Sequence, residues 1–190
     1  MGMFTKVAES TFDELQLDAG VILKNFSPAS PAAPADADIV CATTGGVEAT
    51  CVPTYSDMGE DIDNCPNNTK ELKHLDSWEC RLATTALNVT ADTVKLALGA
   101  ATKTAATQSA PAKVEPNAEL SDADFTDLWW VGDRSDGGMA AIKLVNALST
   151  GGFSLQTTKA GKGQLALELT GHISIDDTSK VPMEFYVAEG

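Results

Sequence analysis

Apolar and polar positions alternate along much of the chain with the period of a half-buried strand. Residues 19–26 are rich in branched apolar side chains and predict a first strand. Residues 27–38 interrupt it with small residues and Pro28, Pro31 and Pro34, predicting a solvated loop. Residues 39–44 and 47–55 flank Gly45-Gly46 and predict two strands joined by a two-residue hairpin turn. Residues 56–74 are acidic and then turn-rich, which predicts a long excursion from the sheet. Over 77–82 the alternation returns: Trp78, Cys80 and Leu82 share one face, and Ser77, Glu79 and Arg81 the other.

One segment reads as a helix, Ala91 to Leu98. Thr90 can cap it, Asp92 suits its first turn and Gly99 can end it. Val94 and Leu98 are four apart, so they are the expected buried face. A helix this short needs a sheet to pack on. Residues 100–118 are small and polar and predict a second variable loop. Strands are predicted over 124–131, with Trp129 and Trp130, and over 153–158. Gly-rich turns fall at 132–138 and 159–163, with residues 139–148 following the first and a Gly151-Gly152 break after them. Residues 164–175 form the longest alternating run. Leu165, Leu167, Leu169, Gly171, Ile173 and Ile175 occupy one face; Gln164, Glu168, Thr170, His172 and Ser174 occupy the other. A last strand follows Pro182. These elements predict a mainly β, single domain over 1–190: an antiparallel β-sandwich or barrel with one short flanking α-helix and long loops or arms.

The charge narrows the function. Thirteen basic and 27 acidic side chains give a net charge of −14. Phosphate contacts need clustered Lys and Arg, so a surface that grips nucleic acid or anionic lipid is not expected. No apolar run is long enough for a membrane span. Residues 1–17 lack the basic start and apolar stretch of a secretory signal, which predicts a cytoplasmic origin. Cys41, Cys51, Cys65 and Cys80 lie nine or more residues apart, without a C-x-x-C, and read as reduced, partly buried thiols and not as a zinc site.

Catalytic patterns are missing. Gly161-Lys162 is followed by Gly163, where a phosphate loop needs Ser or Thr for magnesium. No nucleophile elbow or zinc-protease motif occurs. His172 sits between Thr170 and Ser174 in an alternating run, where a sheet residue is expected. No enzyme activity, cofactor or metal is therefore expected. Asp57, Glu60, Asp61 and Asp63 are hard oxygen ligands close in sequence, but they do not match the twelve-residue calcium loop. Trp129 and Trp130 point to opposite faces of a strand, so Trp130 is a candidate subunit contact.

Several segments together resemble a family. They are 54–69, 75–80, 86–90, Trp129-Trp130-Val131-Gly132-Asp133, 146–159 and 182–187. In this order they resemble bacteriophage major tail proteins, the tube-forming proteins of long-tailed phages and prophages. The resemblance thins over the Ala/Pro loop and over 102–116. It implies a β-sandwich with a flanking helix and long arms. It also implies hexameric rings stacked into a tail tube through which DNA leaves. The implied partners are copies of the chain itself, the tape measure, tail tip and tail terminator proteins, and passing genomic DNA without specific binding. The implied location is the virion tail, after assembly in the bacterial host cytoplasm, with no membrane. The loop from Asp57 to Asn68 in that excursion, with Asp57, Glu60, Asp61 and Asp63, then becomes a candidate arm reaching a neighbouring subunit or ring, alongside Trp130 as a candidate subunit contact. Gln164, Glu168, Thr170 and His172 become a candidate lumen or subunit boundary. Two alternatives share the pattern: a tube-ring protein of a contractile injection or secretion apparatus, and a calcium- or carbohydrate-binding β-sandwich module.

Overall fold

In a computed structural model, which describes Phe4 and residues 6–189, the alternating segments pair into antiparallel strands. The elements in chain order begin β1 (Val21–Leu23), β2 (Ile39–Cys41), β3 (Thr43–Asp57), β4 (Lys73–Ala86) and α1 (Ala91–Leu98). There follow β5 (Ala101–Thr104), β6 (Lys113–Pro116), β7 (Thr126–Asp133) and β8 (Met139–Ser149). Last come β9 (Ser154–Gln156), β10 (Gln164–Thr170) and β11 (Met183–Ala188). Of the N-terminal segment, Met1 to Met3 and Thr5 lie outside the described residues.

The main sheet runs β2-β1-β7-β8-β10-β4-β3, with β11 added to β8 and β9 to β10. Its two ends, β2 and β3, are separated in the chain by Ala42 alone. A single run of chain thus leaves one edge of the sheet and continues at the other, which wraps the sheet around a common interior. Ala42 is held on both sides: its N–H donates to Asn88 Oδ1 at 2.9 Å and its carbonyl accepts from Leu87 N–H at 2.8 Å. The interior is filled from every side of the wrap by Ile22, Cys80, Leu82, Leu128, Leu144, Leu165, Leu167 and Leu169, each at most 1% exposed. Fully burying one such leucine contributes about 1.5–3 kcal/mol, so these few side chains dominate the stability of the sheet.

The sequence readings are altered at five places. Gly45-Gly46 is not a hairpin turn. Both residues have positive φ (+77° and +83°) and form a bulge inside β3, between the pairs Thr44↔Thr85 and Val47↔Thr84. The conformation that only glycine adopts freely serves to bend this edge strand of the sheet. The buried line of α1 is Thr93 and Ala97, whereas Val94 and Leu98 are half-buried. Small side chains let the helix approach the sheet, and the Ser149 hydroxyl donates to Ala97 O at 2.7 Å. The predicted loop at 100–118 contains the hairpin β5–β6. The excursion at 56–74 is the end of a long ribbon, because β3 and β4 stay paired as far as Asp57↔Lys73. Finally, β10 stops at Thr170. Gly171 N–H still donates to Cys80 O at 2.9 Å, but His172 N–H donates to Val145 O, so the chain has changed partners. Ile173 and Ile175 consequently lie outside the core, exposed to 49% and 91%.

Candidate functional site

The most prominent surface feature is the β3–β4 ribbon beyond the pair Cys51↔Cys80. On the sheet side of that pair, β4 also bonds β10, from Ala86 to Arg81. Past it, among the described residues, β3 and β4 pair only with each other, and the ribbon stands out as an arm. Strand alternation carries the core face outward along it: Cys51 and Cys80, then Pro53 and Trp78, then Tyr55 and Leu75. Tyr55 and Leu75 are exposed to 57% and 42%, so this apolar stripe runs off the core uncovered.

The tip is built by one carboxylate. Asp57 accepts from Gly59 N–H at 3.0 Å and Asn68 N–H at 2.8 Å, and Lys73 Nζ lies 3.6 Å away. The Asn68 and Gly59 amides, aided by the Lys73 charge, hold its pKa below the usual carboxylate range. Asn64 and Asn68 adopt left-handed φ to turn the chain. Asp57 thus organises the tip from within, whereas Glu60, Asp61 and Asp63 are exposed on its outside with Met58 and Ile62. Among the described residues, no three His, Cys, Asp or Glu side chains converge as a metal-binding group.

Trp130 is held within its own chain. Its indole N–H donates to Ala19 O at 2.9 Å and its ring packs against the main core. Trp129, on the opposite face, is buried beside Phe26 and Tyr186, with ring centroids 5.6 and 5.5 Å away. The Lys143 ammonium sits 5.6 Å from the Trp129 ring centre and 2.8 Å from Asp127.

The second candidate group is only partly brought together. Gln164, Glu168 and Thr170 share the outer face of β10. Glu168 pairs with Arg81, which also lies 3.8 Å from Glu79, and the Thr170 and Thr150 hydroxyls meet at 2.8 Å. His172 has left the strand; its Nδ1 is 3.2 Å from Asn146 O and its ring meets Phe125 edge-on at 5.3 Å.

Two surfaces were missed in the sequence. Among the described residues β11 pairs only with β8, so its other edge is open, and Phe185 and Val187 project from one of its faces at 61% and 69% exposure. In the N-terminal segment, Phe4, Val7 and Phe12 are exposed, while Leu15 to Leu17 are tied to the β7–β8 turn through Asp133 and Ser135. The alternation in 183–187 signals a strand but not which edge it leaves free. A cleft of about 220 Å³ lies between α1 and the sheet, yet its carboxylates are engaged: Asp92 with Lys103 at 2.6 Å and Asp124 with Ser121 N–H at 2.9 Å. No protein-family model matches the chain, and no curated protein matches it.

Proposed function

We propose that the chain is a structural subunit of a phage tail tube, self-assembling into stacked hexameric rings that form the conduit for DNA ejection. The observation that carries this reading is surface area. The chain exposes 12554 Å², whereas a compact monomer of 19.8 kDa exposes about 8,600 Å². The excess of roughly 3,900 Å² is enough for several interfaces of about 800 Å² per partner. Part of it is apolar: the uncovered stripe on the arm and the Phe185 and Val187 side chains of β11, whose free edge also leaves backbone groups unpaired. Exposed strand edges of this kind favour pairing with another chain unless they are covered. The ordered segments that resemble tail proteins supply the identity of the assembly, and the partners are then the tape measure, tail tip and terminator proteins of the same virion.

The charge fits a conduit that does not hold its cargo. Six copies of a −14 chain carry −84. DNA bears about one negative charge per 1.7 Å of axis, so a basic channel would retain it through many phosphate contacts. The repulsion between subunits must be offset by apolar burial and matched charges at their contacts. Electron microscopy of purified protein seeded with tail-tip complexes tests the reading. Tubes of regular width, with sedimentation that depends on concentration, are expected. Protein that stays monomeric at high concentration and never extends a seed would overturn it.

A further inference from the structure

We propose that Cys51 and Cys80 are a modification site, a thiol pair that a small-molecule disulfide converts into an intrachain disulfide at the base of the arm. The inference stands apart from the assembly reading and needs only the fold.

Cys51 and Cys80 are directly opposite each other on β3 and β4, in the regular stretch between the two irregularities of that ladder. Opposed residues on antiparallel strands have Cα atoms about 4.5 or 5.5 Å apart, and both spacings fall within the range that a disulfide spans. The two Sγ atoms are already 3.2 Å apart. Closing the bond to about 2.05 Å therefore requires side-chain adjustment and no change of register. The pair lies where the arm leaves the sheet: Arg81, the next residue, is the last of β4 to pair with β10, and Cys80 O is fixed by Gly171 N–H.

The surroundings dictate the order of events. Cys80 is fully buried, whereas Cys51 is only half-buried and is the accessible partner. The Cys51 thiolate attacks the external disulfide, forming a mixed disulfide and releasing one small thiol. Cys80 then gives up its proton and attacks Cys51 Sγ, expelling the second small thiol. Two protein thiols and one small disulfide thus become one protein disulfide and two small thiols. Cys41 is buried in the same cluster but sits on β2 and is not opposed to another cysteine. Cys65 is at the arm tip, where its thiol faces Thr69 and Pro66 O. A thiol pair of this kind stays reduced in a glutathione-rich cytoplasm and closes in an oxidising medium. Closure would fix the register of the arm against the sheet.

The test uses the folded full chain carrying Cys65→Ser, which removes the tip thiol. It is incubated with oxidised glutathione, alkylated in urea, digested and mapped by mass spectrometry. The expected result is a link between the Cys51 and Cys80 peptides, two hydrogens lighter than the free pair, with Cys41 alkylated. The same chain with Cys51→Ser added should form no intrachain link. Alkylation of both Cys51 and Cys80 after oxidation, glutathione retained on Cys51, or a link through Cys41 would each overturn the proposal.

Discussion

At the scale of the residue, Gly20 shows how one position constrains a tryptophan. Its φ is +66°, and a Cβ there would lie 2.6 Å from both Trp130 Nε1 and Val131 O. Gly20→Ala therefore meets a disfavoured left-handed backbone conformation and a steric clash together. Its expected cost is about 2–4 kcal/mol, read as a lower urea midpoint with an unchanged slope. Trp130→Ala should likewise destabilise the single chain, because it removes a core contact and the hydrogen bond to Ala19. The buried thiols set an alkaline limit. Burial pushes Cys41 up to about 11, and burial with the Cys51 hydrogen bond pushes Cys80 up to about 12, from 9.0. The folded chain keeps these protons where the unfolded chain has lost them. This contribution is complete below pH 9 and is lost as pH rises toward those folded values. Urea midpoints measured from pH 8 to 10.5 should fall, with a shallower fall in Cys80→Ala.

At the scale of the element, α1 was legible in the sequence to its ends, because caps are local. Thr90 Oγ1 accepts from Thr93 N–H at 3.2 Å, and Thr90 N–H donates to Thr93 Oγ1 at 2.8 Å. Its buried face was not legible. Spacing alone favours Val94 and Leu98, but the close packing of α1 against β8 selects Thr93 and Ala97. Thr93→Val keeps the shape and removes the hydroxyl that the Thr90 amide needs. It should cost about 1–3 kcal/mol, measured by chemical denaturation, with the helix amides exchanging faster. The bulge at Gly45-Gly46 makes a related point. A Gly-Gly pair between two apolar runs suits a turn or a bulge equally, and only the partner strand decides between them. The same holds at Gly171, where alternation continues in the sequence while the chain switches from Cys80 to Val145.

At the scale of the whole molecule, the wrapped sheet and the arm have opposite surface economies. The sheet turns its apolar side chains onto one interior, while the arm carries the same strand face out into solvent. Tyr55→Ser with Leu75→Ser should leave the stability of the single chain within about 0.5 kcal/mol of the parent, since both side chains are exposed. In the tube reading it should sharply reduce seeded tube growth. Normal tube length in this double variant would remove the arm stripe from the interface. Such a variant separates assembly from folding, which Trp130→Ala does not. Among the described residues, no helix is long and apolar enough to cross a membrane.

Sequence by itself determined the antiparallel β class, the position of α1, the strand that carries Trp78, Cys80 and Leu82, and the division of the β10 face. These follow from local rules: a period of two, a cap, a glycine stop. Tertiary structure alone decided that Ala42 joins the two edges of the sheet, that 56–74 ends a paired arm, that Trp130 turns inward to Ala19, and that Cys51 faces Cys80. Each of these depends on contacts between residues 29 or more positions apart or on which strand lies alongside. Periodicity reports which face of a strand is apolar. It carries no information about what, if anything, covers that face.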